Sequence, residues 1–191
     1  MAARRHGEAL ERALLDAAWD ELVEGGYGAF TTDAVAVRAG TSRPVLYRRW
    51  PDKHDLVRAA VAHALDREVI AVPDTGSLRG DVITLMKSAN ETRAGLAAVV
   101  TVHLGGFYQE TGSSPEDLRK MLAAGRPRVL DTILDRAAAR GEICRDQVSE
   151  RMASLPFALL LVEFVMTLKP VPASVIEEIV DTVFLPLVTA Q

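Results

Sequence analysis

Thr31-Thr32-Asp33-Ala34-Val35-Ala36-Val37-Arg38-Ala39-Gly40-Thr41-Ser42-Arg43-Pro44-Val45-Leu46-Tyr47-Arg48-Arg49-Trp50-Pro51-Asp52-Lys53 is the stretch on which the fold turns. Thr31 or Thr32 is a natural helix N-cap, and Val35, Ala36 and Ala39 then fall on one helical face until Gly40 breaks it. Ser42 can cap a second short helix, with Pro44 in the first turn, where a missing N–H does no harm. Pro51 ends that helix. On its wheel Leu46 and Trp50 share one face, while Arg43, Pro44, Tyr47 and Arg48 share the other. From Arg38 to Lys53 the cations Arg38, Arg43, Arg48, Arg49 and Lys53 meet only one anion, Asp52, in a chain of net charge -4. A compact helix pair with a positive outer face is what docking in a DNA major groove requires.

The surrounding sequence reads as helix throughout. Upstream, Leu14, Ala18 and Leu22, and beside them Leu15, Trp19 and Val23, recur at spacing four over residues 8–24, and Gly25-Gly26 end that helix. Downstream, Asp52 caps a helix through Leu56, Val57, Ala60, Val61 and Leu65, with Asp55 placed for a capping box. Val72-Pro73-Asp74-Thr75-Gly76-Ser77 is a linker of turn formers. It divides the chain into residues 1–70, carrying the helix pair at about 31–50, and residues 71–191. In the second part helices are expected over 78–92 and 94–110. A further helical stretch starts at Pro115, is interrupted near Gly125-Arg126-Pro127, and runs to Arg140. No strand-like alternation of any length occurs, so the fold class is all-α.

The last two helices carry their own message. Residues 149–168 are apolar almost all round from Leu155 onward, through Leu159 and Val162, so this helix needs cover on more than one side. Residues 173–188 set Val175, Ile179, Val183 and Leu187 beside Ile176, Val180, Phe184 and Val188, two adjacent rows of spacing four that suit close helix packing. A two-fold dimer pairing these helices is the economical way to cover both.

Composition removes several function classes. One cysteine, Cys144, allows no intrachain disulfide and fits a reducing compartment. The N-terminus lacks the apolar core of a signal peptide, and the run Leu155–Leu168 is too short for a bilayer and carries Glu163, so a cytoplasmic, soluble protein is expected. His6, His54, His63 and His103 are scattered without metal-ligand spacing, and no phosphate-binding glycine loop follows a strand. The reading is therefore no enzyme, no cofactor and no metal. A redox role for Cys144 is weaker than plain packing.

Ala39-Gly40-Thr41-Ser42, Leu46-Tyr47-Arg48-Arg49-Trp50 and Pro51-Asp52-Lys53 together resemble the DNA-binding domain of TetR-family transcriptional regulators. The likeness is detailed over about residues 8–68. Thr41 stands where valine is commoner, and Trp50 where phenylalanine is commoner. The resemblance implies that Thr31, Tyr47 and Lys53 contact backbone phosphate, and that Thr41, Ser42, Arg43, Pro44 and Arg48 lie where base edges and phosphates are met. Arg43 is the expected guanine reader, through O6 and N7. Arg49 divides between a salt bridge and a phosphate contact, and Trp50 belongs to the core. A small-molecule effector pocket in the C-terminal bundle is also implied, with Met86, His103, Phe107, Phe157, Leu161 and Phe164 as lining candidates; each has core packing as its plainer role. His103, polar on an apolar helix, needs a partner, either a ligand or a backbone carbonyl. The expectation is a homodimer on a palindromic double-stranded DNA operator, most simply a repressor released by a small molecule. An activator, or a helical ligand-binding protein without DNA binding, remains the alternative.

Overall fold

Gly26 is where the first helix changes course. The computed structural model describes residues 2–67, 71–123 and 129–189. Helix α1, Ala2–Ala29, is interrupted at Gly26, whose φ of 64° and ψ of 179° belong to a region essentially reserved for glycine. The kink drops Tyr27 and Phe30 into the core, each 1% exposed. Before it, the row Leu14, Ala18 and Leu22 is fully buried, while Val23 of the neighbouring row faces out. Helix α2, Thr32–Arg38, helix α3, Arg43–Tyr47, and helix α4, Lys53–Arg67, follow. Leu56, Val57, Ala60 and Val61 of α4 pack with that α1 row and with Val35, Ala36 and Leu46. Burying the leucine and valine side chains among these stabilises the fold by about 1.5–3 kcal/mol each.

Residues 1–70 do not make up this core alone. The chain forms two compact units, Met1–Glu68 with Gly95–Ala124, and Val69–Ala94 with Gly125–Gln191. Helix α5, Leu78–Ala98, runs on into a π-helical turn, Val99–His103, then helix α6, Gly105–Thr111, and helix α7, Pro115–Ala123. Val99, Leu104, Phe107 and Leu118 from these segments join the N-terminal core. The break expected between residues 92 and 94 falls instead at Leu104, ahead of Gly105-Gly106. Gly106 lies close against Tyr27: a Cβ there would come 3.0 Å from the tyrosine ring, a contact that favours glycine.

Tyr27 is held from every side. Its ring packs edge-on to Phe107 at 5.8 Å and parallel to His54 at 6.2 Å, and the Lys53 ammonium lies 3.7 Å above it. Its hydroxyl donates to Glu110, which also meets His54 Nε2 at 3.2 Å. Burial first, and Glu110 second, push the phenol well above its ordinary pKa. The hydrogen bond from Tyr27, then that from His54, holds Glu110 below the usual carboxylate range.

The second unit contains α5 as far as Ala94, helix α8, Val129–Ala139, a 3-10 turn, Arg145–Gln147, helix α9, Glu150–Thr167, helix α10, Ala173–Glu178, a π segment, Ile179–Phe184, and helix α11, Leu185–Thr189. Ser149 caps α9 through the Met152 N–H. The π segment precedes Pro186, whose ring does not fit behind the Thr182 carbonyl in a regular α-turn. Of the two rows, Ile176, Val180, Phe184 and Val188 are buried within this unit; in the other, Ile179 is buried while Val175, Val183 and Leu187 are at most half-buried. Arg79 grips Asp181 through two hydrogen bonds of 2.6 and 2.7 Å, and Asn90 pairs with the Val171 backbone in both directions. The interruption expected at Gly125–Pro127 lies outside the described residues. No strand occurs among those described.

Two outcomes test this core. Gly26→Ala should cost about 1–3 kcal/mol in urea unfolding, because alanine strains at that backbone conformation; Gly28→Ala, with open space around its Cβ, should be neutral or stabilising. Because Glu110 has its pKa lowered by folding, its charge stabilises the protein at neutral pH and that contribution is lost as pH falls below the ordinary value of 4.5. Wild type and Glu110→Gln should therefore differ in stability at neutral pH and converge in acid.

Candidate nucleic-acid interface

The turn between α2 and α3 is built from local chemistry. Thr31 caps α2, its hydroxyl accepting the Ala34 N–H at 3.1 Å. Gly40 takes φ +64°, as the turn requires, and the Thr41 N–H closes it on the Ala36 carbonyl at 2.9 Å. Ser42 occupies the N-cap position of α3, but its side chain makes no capping bond. The reason is Pro44: the next-but-one residue has no N–H, and the Val45 N–H already goes to the Ser42 carbonyl. Asp52 accepts the Asp55 N–H at 2.7 Å, whereas the Asp55 carboxylate turns to Arg58 rather than closing a capping box.

The two faces of α3 separate as its wheel dictates. Leu46 is 1% exposed and Trp50 packs half-buried against the same core. Ser42, Arg43, Pro44, Tyr47 and Arg48 are exposed, together with Thr31 on α2; Thr41 is half-buried. The Tyr47 hydroxyl lies 3.2 Å from that of Thr32. Arg43 pairs through Nε with Asp33. Thus Tyr47 and Arg43 are each backed by a residue from the start of α2; pattern marks Thr32 only as an alternative N-cap and does not mark Asp33. A charge count that begins at Arg38 leaves Asp33 out.

The cations of this stretch do not all face outward. Arg38 turns back to α1, with hydrogen bonds of 2.7 Å to Glu21 and 2.8 and 2.5 Å to Glu24. Those carboxylates, Glu24 first, raise its pKa further, and Arg38 holds Glu24 below the usual range. Arg38 is therefore a tie between α1 and α2. Lys53 donates to the Tyr27 carbonyl at 3.1 Å while lying over the ring, so one of its three N–H groups is already engaged. Arg49 is half-buried and reaches the Val45 carbonyl at 3.4 Å.

The candidate effector residues fall in both units. His103 lies in the first, its Nδ1 2.9 Å from the Leu22 carbonyl, which supplies the partner this polar group needs. Phe107 is 2% exposed within the Tyr27 cluster. In the second unit Met86 and Phe164 are buried, Phe157 is half-buried and Leu161 is 43% exposed. Among the dimer candidates Val162 is exposed, Leu155 and Leu159 are half-buried, and Leu159, Val175, Ile179 and Val183 line a shallow groove of about 220 Å³. Among the described residues no helix is long and apolar enough to cross a membrane.

Comparison with known proteins agrees with this geometry. Residues 14–60 match the family described as bacterial regulatory proteins, tetR family, and residues 72–183 match a tetracyclin repressor-like C-terminal domain. The chain is 31% identical over 185 residues to a DNA-binding transcriptional repressor TetR of Mycobacteroides abscessus, covering 95% of each. It is 30% identical over 175 residues to an uncharacterized HTH-type transcriptional regulator of Mycobacterium bovis, covering 88% of this chain and 82% of that one. Among solved structures, a flavonoid-responsive regulator, FrrA, superposes with a TM-score of 0.64 at 21% identity, over 97% of this chain and 99% of that one, a likeness of fold. The chain belongs to the TetR family of transcriptional regulators, and α2 and α3 are its DNA-binding helix-turn-helix.

Proposed function

We propose that the protein is a cytoplasmic repressor that binds a palindromic operator as a homodimer and leaves it when a small molecule binds the C-terminal unit. The observation that carries the DNA-reading part is the outer face of α3, where Arg43, Pro44, Tyr47 and Arg48 stand exposed over a buried Leu46. In this reading Arg43 pairs with a guanine, and Thr31, Tyr47 and Arg48 fix the register on phosphates. Thr41, Ser42 and Pro44 border the reading edge, and Arg49 and Lys53 add charge behind it.

The homodimer rests on the exposed apolar strip of α9, where Leu161, Val162 and Met166 are 43, 55 and 79% exposed, next to the groove lined by Leu159, Val175 and Val183. A strip of this kind marks an interaction surface, and a self-complementary pair covers it with one sequence. Effector release is the family's expectation. Thermodynamically it requires a compound that prefers the conformation with the wrong recognition-helix spacing.

Selecting bound fragments from the source genome tests the reading as a whole, and failure to enrich any sequence at moderate salt would refute it. On the selected operator, Arg48→Ala should weaken binding and make the dependence of log K on log salt shallower by about one, whereas Arg38→Ala should leave that slope unchanged. For the dimer, Leu161→Glu with Val162→Glu should yield monomers in sedimentation and lower operator affinity; dimers of unchanged stability would place the interface elsewhere.

A further inference from the structure

Asp33 is the one acidic residue between Thr31 and Pro51, and it is exposed beside the outer face of α3 that is proposed to read DNA. An exposed carboxylate beside phosphates is unfavourable unless it has a task. Its partner is Arg43 Nε, across the turn from α2 to α3, with both side chains about half exposed, at 52 and 58%. One residue earlier, Thr32 meets the Tyr47 hydroxyl, so two successive residues at the start of α2 back Arg43 and Tyr47, one turn apart on α3. The other paired cations of the stretch turn elsewhere, Arg38 to carboxylates of α1 and Lys53 to Tyr27.

We infer that Asp33 is a specificity-determining positioning residue, which fixes the Arg43 guanidinium so that its outer edge reads a guanine. The inference rests on the proposed role of Arg43. A guanidinium carries five N–H donors in a planar fork. With the Asp33 carboxylate beside Nε, the four η N–H groups of Arg43 are left to meet O6 and N7. The anchor removes rotamer freedom before DNA arrives, which lowers the ordering cost of the specific contact. It also raises the cost of wrong sites, because an Arg43 not engaged by guanine leaves the pair close to neutral and withdraws a cation from the phosphates. Asp33 thus trades general affinity for discrimination.

The test uses the full-length protein, an operator selected from a random-sequence DNA pool, and every single base-pair variant of that operator. Arg43→Ala should abolish discrimination at one guanine in each half-site, by about tenfold or more. Asp33→Ala should lower discrimination at that same position several-fold while tightening binding to unrelated DNA. Asp33→Asn, which keeps an acceptor for Nε, should restore part of the discrimination. The double variant should discriminate no worse than Arg43→Ala alone. Thermal unfolding of each variant separates these effects from loss of fold. If Arg43→Ala abolishes discrimination at one position but Asp33→Ala shifts all sequences equally, or the double variant loses more than Arg43→Ala, the inference fails while the Arg43 role stands. If Arg43→Ala changes no base preference, both fail.

Discussion

The cluster around Tyr27 holds the reading helix in place. Helix α3 has five residues, too few to be stable by itself, so its orientation comes from what grips its ends. Its exit is followed at once by Pro51, Asp52 and Lys53, and Lys53 is bound to the Tyr27 carbonyl and ring. Tyr27 in turn is fixed by the Gly26 kink, by Phe107 and by the Glu110 carboxylate. Each group has little alternative. The phenol is buried and needs an acceptor, the ammonium is half-buried and needs an anion or a π-face, and Gly106 gives the ring the only space a side chain would have filled. The recognition helix is thus clamped to α1 and to α6 within one unit.

That clamp explains why the compact unit is discontinuous in sequence. The segment from Gly95 to Ala124 packs with the N-terminal helices because Val99, Leu104 and Phe107 complete their core and Glu110 completes their polar cluster. The π turn at Val99–His103 belongs to the same arrangement, since it carries His103 to the Leu22 carbonyl. Wider helical turns often mark functional positions. Here the turn seats a segment of the C-terminal half against the helices that hold DNA.

What the sequence made legible is what is local. The division of α3 into Leu46 and Trp50 against Arg43, Pro44, Tyr47 and Arg48 follows from helical period alone, and burial agrees. The caps at Thr31 and Asp52 depend on three-residue spacing and were equally readable. Partners from elsewhere were not. Arg38 meets Glu24 from 14 positions away, Lys53 meets Tyr27 from 26, and Tyr27 meets Glu110 from 83. Arg38, which composition counts with the basic stretch, therefore ties two helices together. Likewise, the paired rows in residues 173–188 showed two apolar faces, but only packing decides that Ile176, Val180 and Phe184 go inward.

The charge balance becomes coherent once these partners are assigned. A net charge of -4 disfavours the protein's approach to DNA in general, yet at physiological salt fields fade over about 8 Å, so the few groups at the interface decide binding. Glu21 and Glu24 are held on α1 by Arg38. At the DNA face, Arg48 stands exposed while Arg43 has its charge balanced by Asp33. In the proposed reading such a face has little sequence-independent attraction to offer and gains its affinity from contacts that only the right bases complete. For a regulator that searches a genome crowded with wrong sites, the ratio of specific to non-specific binding matters more than affinity itself. A sparse, partly neutralised reading face on an acidic protein favours that ratio.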